Sequence, residues 1–305
     1  ANAIEIAGGP ARTPLEEGAE IRFDPAGNAT LLVGSHSHGQ GLETAFRQVV
    51  QSALGLPFGR VRVVMGDTDQ VPHGRGTFGS RSILAGGTAI FRAAEEIVAK
   101  GRRIAAHLLE AAEADVVFEA GQFGIAGTDR RLGFEAIAAA AYAAGKLPPG
   151  LPMGLFAQTV SQPDDATFPN GCHVAEVEVC AETGVVQLLR YVVADDVGTV
   201  VNPLLLKGQI HGGIAQGAGQ VLLESFLFDA TGQPLTGSFM DYAMPRAADM
   251  PPMEVLSNPQ PTAKNLLGAK GAGEAGTVGA LPVVVSAVCD ALGVAHIDMP
   301  LTAER

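Results

Sequence analysis

Basic residues are scarce. Only 20 Lys and Arg stand against 32 Asp and Glu in 305 residues, for a formal net charge of −12 and a pI near 5.0. No basic run occurs, which argues against nucleic acid or an anionic membrane as the main partner, since both recruit clustered Lys and Arg. Cysteine is equally sparse: Cys172, Cys180 and Cys289 form an odd set without C-x-x-C spacing. Neither a disulfide framework nor a zinc or iron–sulfur site is indicated, and a reduced, cytoplasmic compartment is expected. Long apolar runs are also missing. The most apolar stretch, "LPVVVSAVCDALGVAHI", contains Asp290 and reads as too short and interrupted for a bilayer span, so a soluble protein is expected. Charged residues make up 17% of the chain against 47% hydrophobic, which excludes a disordered or coiled-coil chain. A signal peptide and an initiator Met are absent as well; the opening "ANAIEIAGGP" leads to the expectation of a fragment or a processed subunit.

What is present in quantity is glycine, 39 residues, together with 19 prolines, implying many tight turns and close backbone approaches. Residues 19 to 34 read as a hairpin, with Ile21 and Phe23 alternating with polar neighbours and "DPAGN" as the turn. From Leu42 the apolar residues Ala45, Phe46, Val49, Val50, Ala53 and Leu54 recur at helical spacing, with Gly55 as the stop. A strand at "RVRVVMGD" and a long helix from about Thr88 to Ala114 follow. Near Gly171 a second hairpin begins, turning at Glu182-Thr183-Gly184. The order strand, turn, strand, glycine–glutamine loop and apolar helix thus occurs twice, with Gly39-Gln40 in one unit and Gly208-Gln209 in the other, which reads as an internal duplication. The Pro- and Gly-rich stretch "GKLPPGLPMGLFAQTVSQPDDATFPNG" lacks periodicity and marks the boundary. The expected fold is α+β, two related βα subdomains of mixed sheets with packed helices, at 1–160 and 161–305. A last helix is expected with Pro282 in its first turn, Val283 to Leu292 as its body and Gly293 as its cap.

Four polar loops are rich in glycine: "GSHSHGQGLET", "GDTDQVPHGRGTFGSRS", "ADDVGTVVNP" with "KGQIHGGIAQGAGQ", and "GAKGAGEAGTVGA". Each lies beside an expected helix start or strand end, where uncommitted N–H groups gather and a large anionic ligand can approach the backbone. Taken singly, such glycines simply make turns; as a set they point to one large cofactor clasped by several loops. His36, His38, His73 and His211 lack zinc spacing and read as loop hydrogen-bonding groups. Asp67, Asp69, Asp195 and Asp196 can cap loops or bind an ion. The last loop has G-x-G-x-x-G spacing at Gly271, Gly273 and Gly276, yet Glu274 sits inside it, where a carboxylate would repel a phosphate. Two readings stand for Glu274: a helix cap, or a general base held among small residues.

Together, "HGQGLETAFRQVV", "GDTDQVPHGRGTFGSRS", "DDVGTVVNPLLLKGQIHGGIAQGAGQ" and "GAKGAGEAGTVGALPVVVSAVCDAL" resemble, in order and through nearly the whole chain, the molybdenum-binding large subunits of the xanthine dehydrogenase, aldehyde oxidase and carbon monoxide dehydrogenase family. The resemblance is to the C-terminal part of such a subunit and is nearest to the carbon monoxide dehydrogenase-like branch. It implies an oxidative hydroxylase fold and activity, with water-derived oxygen. Glu274, preceded by Lys270-Gly271-Ala272-Gly273, matches the family's catalytic base. In the implied mechanism it takes the proton of a Mo-bound hydroxyl that attacks an electrophilic substrate carbon, while hydride passes to the Mo sulfido group. His38, Gly39, Gln40, Gly41, Thr77, Phe78, Gly79 and Ser80 match segments that hold the molybdopterin dinucleotide, expected to be the cytosine form. Asp196, Gln209, Lys270 and Gly273 match further cofactor contacts. Molybdenum is held through the pterin dithiolene, so no protein metal ligand is implied.

Iron–sulfur spacing, a flavin domain and the first molybdenum-binding half are absent from the sequence. The resemblance therefore implies that the N-terminal half of the large subunit, and iron–sulfur and FAD subunits that carry the electrons away, are partners, in a dimer of multi-subunit units acting on a small molecule. The isolated chain is expected to be inactive. Two other readings stay open. One is a non-catalytic scaffold or split-subunit domain. The other takes "GAGEAG" as an NAD-binding fingerprint; the preceding "NPQPTAKNLLGAK" lacks the apolar strand such a loop needs.

Overall fold

In a computed structural model that describes residues 1–8 and 15–304, the first strand, β1 (Asn2–Ile4), pairs not with its sequence neighbours but with a strand beginning at Asn170. The chain accordingly divides into a first unit, Pro10–Ala166 with Ala263–Leu267, and a second, Ala1–Gly9 with Thr167–Thr262 and Gly268–Arg305. This differs from the simple division at 160/161, because antiparallel hydrogen bonding draws the N-terminal strand into the second sheet and Leu267 packs back onto Gly87 of the first unit.

In the first unit, β2 (Glu17–Phe23) and β3 (Ala29–Val33) make the hairpin expected from alternation. Asp24 closes its turn by accepting the N–H groups of Ala26 and Asn28, each at 2.9 Å, and Gly27 supplies the φ of 85°. α1 (Leu42–Leu54) buries Phe46, Val50 and Leu54, stops at left-handed Gly55, and leads to β4 (Val61–Val64), which lies parallel to β3. After a π turn at Ser82–Gly86 comes α2 (Gly87–Leu108), which ends short of the expected Ala114. Glu110 takes a left-handed φ of 51°, and the Ala111 N–H closes back on the Ala106 carbonyl at 3.0 Å, ending the helix although its last residues favour one. β5 (Val116–Glu119), β6 (Gln122–Ile125) and β7 (Arg131–Gly133) form a small antiparallel sheet. α3 (Phe134–Ala141) follows, and Phe134 stacks on Phe23 with ring centroids 4.8 Å apart. β8 (Phe156–Ser161) completes the order β4-β3-β2-β8. It lies inside the stretch read as a structureless boundary. Its own alternation is faint, and pairing with β2, buried along most of its length, imposes the extended form.

The second unit has β9 (Asn170–Val179) and β10 (Val186–Asp196) as the second expected hairpin, turning at Gly184 with φ 72°. α4 (Pro203–Leu222) then crosses to β11 (Met253–Ser257), parallel to β10, giving the order β1-β9-β10-β11. Both sheets thus have an antiparallel strand, a hairpin and then a parallel strand reached through a helix, so the duplication read from the sequence has a counterpart in topology. One detail of it fails: Gly208-Gln209 lies within α4 and not in a loop, since Asn202 caps the helix at Leu205 N–H (3.0 Å) and Pro203 starts it.

α5 (Ala275–Leu292) starts seven residues before Pro282, so the proline is inside the helix and not in its first turn. Pro282 lies on the exposed face, where the Val278 carbonyl it leaves without an intrahelical donor can meet water. The longer start is held by close packing on α4. A Cβ at Gly213 would come within 2.9 Å of the Thr277 nitrogen, and one at Gly217 within 2.7 Å of the Ala280 methyl, so glycine permits the approach. Among the described residues α5 is the one helix long and apolar enough to cross a membrane by length and composition, contrary to the expectation of too short a stretch. Its Ala280, Val283, Val284 and Val288 are core residues packed with Ile210, Ile214 and Val221 of α4 and Tyr191 and Val193 of β10.

Candidate cofactor loops and catalytic carboxylate

The first unit brings two of the glycine loops together. The chain leaving β3 runs through His36–Gly41 to α1, and Thr77 of the second loop clamps it: Thr77 Oγ1 donates to the His36 carbonyl at 2.6 Å and accepts the His36 N–H at 3.1 Å. His36 Nδ1 and His38 Nε2 lie 2.9 Å apart with rings edge to face. Gln40 accepts the His38 N–H and donates to the His36 carbonyl at 3.4 Å, so its side chain shapes the loop itself. Gly39 (φ 112°) and Gly76 (φ 81°) have open space where a side chain would stand. Phe78 is exposed, and Gly79 and Ser80 turn with φ of 53° and 54°.

Beneath these turns lies an ion pair that sequence reasoning missed. Arg81 and Glu17 are each 0% exposed, with a nitrogen–oxygen distance of 3.4 Å. Arg81 also donates to the carbonyls of Glu16 (2.7 Å) and Leu15 (3.1 Å), while Glu17 accepts the N–H groups of Gly18 (3.1 Å) and Arg75 (3.2 Å). Burial pulls the Arg81 guanidinium below its ordinary range and the Glu17 carboxylate opposes that pull. The pair joins β2 to the loop carrying Thr77–Ser80.

In the second unit, Asp196 at the end of β10 ties three segments together. Its carboxylate accepts the N–H groups of Gly198 and Gln260, each at 2.9 Å, and pairs with the Lys270 ammonium. Lys270 N–H donates to the Val197 carbonyl at 2.8 Å and Gly271 N–H to buried Thr167 Oγ1 at 3.3 Å. The side chains of Asp196 and Lys270 therefore lock the glycine loop in place. Burial alone would raise the Asp196 carboxyl, but the Lys270 bond, the two N–H bonds and the Lys270 charge together outweigh it and hold the carboxyl below its usual range. A depressed folded value contributes stability that is present above the unfolded value, about pH 4, and is lost as pH falls through the folded value. Asp196→Asn is thus expected to be less stable than the parent at pH 7 in urea unfolding, with the gap shrinking as the pH drops below about 4. A gap that does not change with pH would show that charge is not what holds the loop.

Glu274 is exposed and occupies the N-cap position of α5. Its carbonyl accepts the N–H groups of Thr277 (3.0 Å) and Val278 (3.1 Å), but its side chain makes no capping bond, so the cap reading fails for the carboxylate. Five residues on, Gly279 admits the ring of buried His173, which bonds Tyr191 OH at 2.7 Å and lies 3.5 Å from Asp195. Burial first, and Asp195 second, push the Tyr191 phenol up. This buried trio fixes the sheet against the start of α5.

Compared with known proteins, residues 1–251 match the molybdopterin cofactor-binding domain family. The chain belongs to that family. The carbon monoxide dehydrogenase large chain of Hydrogenophaga pseudoflava is 39% identical over 293 residues, covering 95% of this chain and 36% of that one. Two solved structures share the fold with a TM-score of 0.91: a Cu,Mo-CO dehydrogenase in its carbon monoxide reduced state (33% identical, 99% of this chain, 40% of that one) and quinoline 2-oxidoreductase from Pseudomonas putida 86 (35%, 100% and 41%). The chain thus spans well under half the length of the relatives it matches, and its α+β fold of mixed sheets and helices is theirs.

As a molybdopterin cofactor-binding domain, the chain presents a suitable donor set. Among the described residues no group of three His, Cys, Asp or Glu could hold a metal. The open glycine backbones at Gly39 and Gly76 suit a large polar ligand. His38, Gly39, Gln40, Gly41, Thr77, Phe78, Gly79 and Ser80 all belong to the first unit, and Asp196, Gln209, Lys270, Gly273 and Glu274 to the second. Of the latter, Gln209 stands apart on α4, half-buried, away from the strand-end loops where it was expected. His211 is also on α4, where burial and then the Lys207 charge push its imidazole down.

Proposed function

We propose that this chain is the part of a molybdenum hydroxylase large subunit that clasps a molybdopterin cytosine dinucleotide and supplies the general base, in a cytoplasmic complex whose iron–sulfur and FAD subunits carry the electrons away. The observation that carries this reading is the setting of Glu274: an exposed carboxylate that does not cap its helix, in a loop of small residues held by the Lys270–Asp196 pair. When bound, the cofactor supplies the two-electron oxidising centre. The chain's own part is to orient and to move a proton. Glu274 Oε takes the proton of the water-derived oxygen nucleophile as it attacks an electrophilic carbon of a small substrate, and the Gly–Ala surroundings leave room for that substrate. The glycine turns at Gly39 and Gly79, kept in place by Thr77 and the Arg81–Glu17 pair, offer backbone N–H groups to the dinucleotide, and Gly76, whose own N–H is held by the Gly34 carbonyl at 3.1 Å, leaves it open space.

Equal structural likeness to a carbon monoxide dehydrogenase and to a quinoline oxidoreductase leaves the substrate among carbon monoxide, aldehydes and N-heterocycles. The test is composition of the assembled complex. It should contain roughly one molybdenum per copy of this chain and release a pterin and cytidine monophosphate on acid hydrolysis. A complex with neither metal nor pterin would remove the reading and leave a scaffold role.

A further inference from the structure

Between α4 and β11 the chain makes an arm whose apolar side chains face solvent. Phe226, Phe228, Leu235 and Met244 are each more than half exposed, and Phe239 and Met240 at its tip are 87% and 92% exposed. The arm is built, with its own internal bonds. Phe228 bridges to Pro234, Leu235 N–H donates to the Leu227 carbonyl at 2.8 Å, and Tyr242 OH anchors it to Glu224 at 2.6 Å. From Ser225 to Met244 its only charges are the exposed Asp229 and Asp241, and both are engaged in the arm's own turns: Asp229 accepts the Thr231 and Gln233 N–H groups, and Asp241 the Ser238 hydroxyl. The outward face is rich in apolar side chains, poor in charge and preorganised.

We infer that this arm is the surface on which the rest of the large subunit packs. The inference rests on the proposed function, in which the chain is part of a longer subunit. This chain matches 36% of the carbon monoxide dehydrogenase large chain and 41% of the quinoline oxidoreductase chain, while those matches cover 95% and 100% of it. The larger share of the polypeptide in those relatives therefore lies outside the matched fold and needs a surface to pack on. Chemistry selects that occupant over a separate electron-transfer subunit. Transient redox contacts are small, whereas permanent interfaces resemble a core cut in half, apolar and poor in charge. An aromatic and a methionine side by side at the tip are typical anchors of such an interface.

The test places a photo-crosslinking phenylalanine at position 239, and separately at 240, in the assembled complex; both side chains are so exposed that this chain's own packing is unaffected. The expected products join this chain to large-subunit sequence outside residues 1–305. Products joining two copies of residues 1–305, products with an iron–sulfur or FAD subunit, or no product at either position would overturn the inference. Molybdenum and pterin measured on the same preparation keep the two ideas apart. Cofactor present with crosslinks elsewhere defeats only the docking surface, and cofactor absent defeats the functional reading whatever the crosslinks show.

Discussion

Glu274→Gln in the assembled enzyme is expected to lower turnover by roughly two to four orders of magnitude, while molybdenum and pterin contents and the thermal midpoint stay at the parent values. The amide keeps the size and a hydrogen-bonding oxygen but cannot take a proton, so it isolates the base function. The fold should not register the change. Glu274 joins α5 through its carbonyl, which the variant retains, its exposed side chain does not cap the helix, and glutamine keeps that side chain's size and an oxygen acceptor. Loss of turnover through an empty site would appear instead as reduced molybdenum. Turnover within a few-fold of the parent, with cofactor loaded, would remove Glu274 from the chemistry and return the loop to a binding role. A panel of carbon monoxide, an aldehyde and an N-heterocycle with an artificial electron acceptor provides the assay. Whichever substrate turns over also fixes the class that this chain leaves open.

What was legible in the sequence follows from how locally each feature is determined. The hairpin at Ile21–Thr30 and the stop at Gly55 depend on neighbours a few residues away, and both stand where alternation and a left-handed glycine put them. The start of α5 does not. Pro282 reads as a helix beginning, but packing through Gly213 and Gly276 extends the helix back to Ala275, an effect spread over some sixty residues of chain. Gln209 was misplaced for the same reason: glycines that look like a loop are a helix face that fits another helix. β8 is extended because β2 pairs with it, and β1 joins the second sheet through Asn170–Cys172. In the site, Glu274 drew notice as a carboxylate among glycines. Asp196 did so as a loop cap or ion ligand and Lys270 only by resemblance, and the structure gives them a mutual role. Arg81 and Glu17 gave no signal, since charges separated by 64 residues cannot be paired by inspection.

That unannounced pair carries the largest expected effect on stability. Arg81→Met is expected to destabilise the protein by about 3–5 kcal/mol in urea unfolding at neutral pH, because it leaves the Glu17 carboxylate buried without its cation and the Leu15 and Glu16 carbonyls without their donor. Adding Glu17→Gln to that variant should recover part of the loss, since no charge then remains buried. If the double variant is as unstable as the single one, the damage comes from the guanidinium's bonds to the backbone rather than from an uncompensated charge. If Arg81→Met alone costs under about 1 kcal/mol, the pair is not the buried contact the geometry describes. The functional reading ties in here, because Arg81 immediately follows Ser80 and its side chain joins the Thr77–Ser80 turn to β2. Pterin content should therefore fall in Arg81→Met even at temperatures where the protein stays folded, and should return with stability in the double variant. Glu274→Gln is the opposite case, with pterin retained and turnover lost, so the two substitutions separate the clasp from the chemistry.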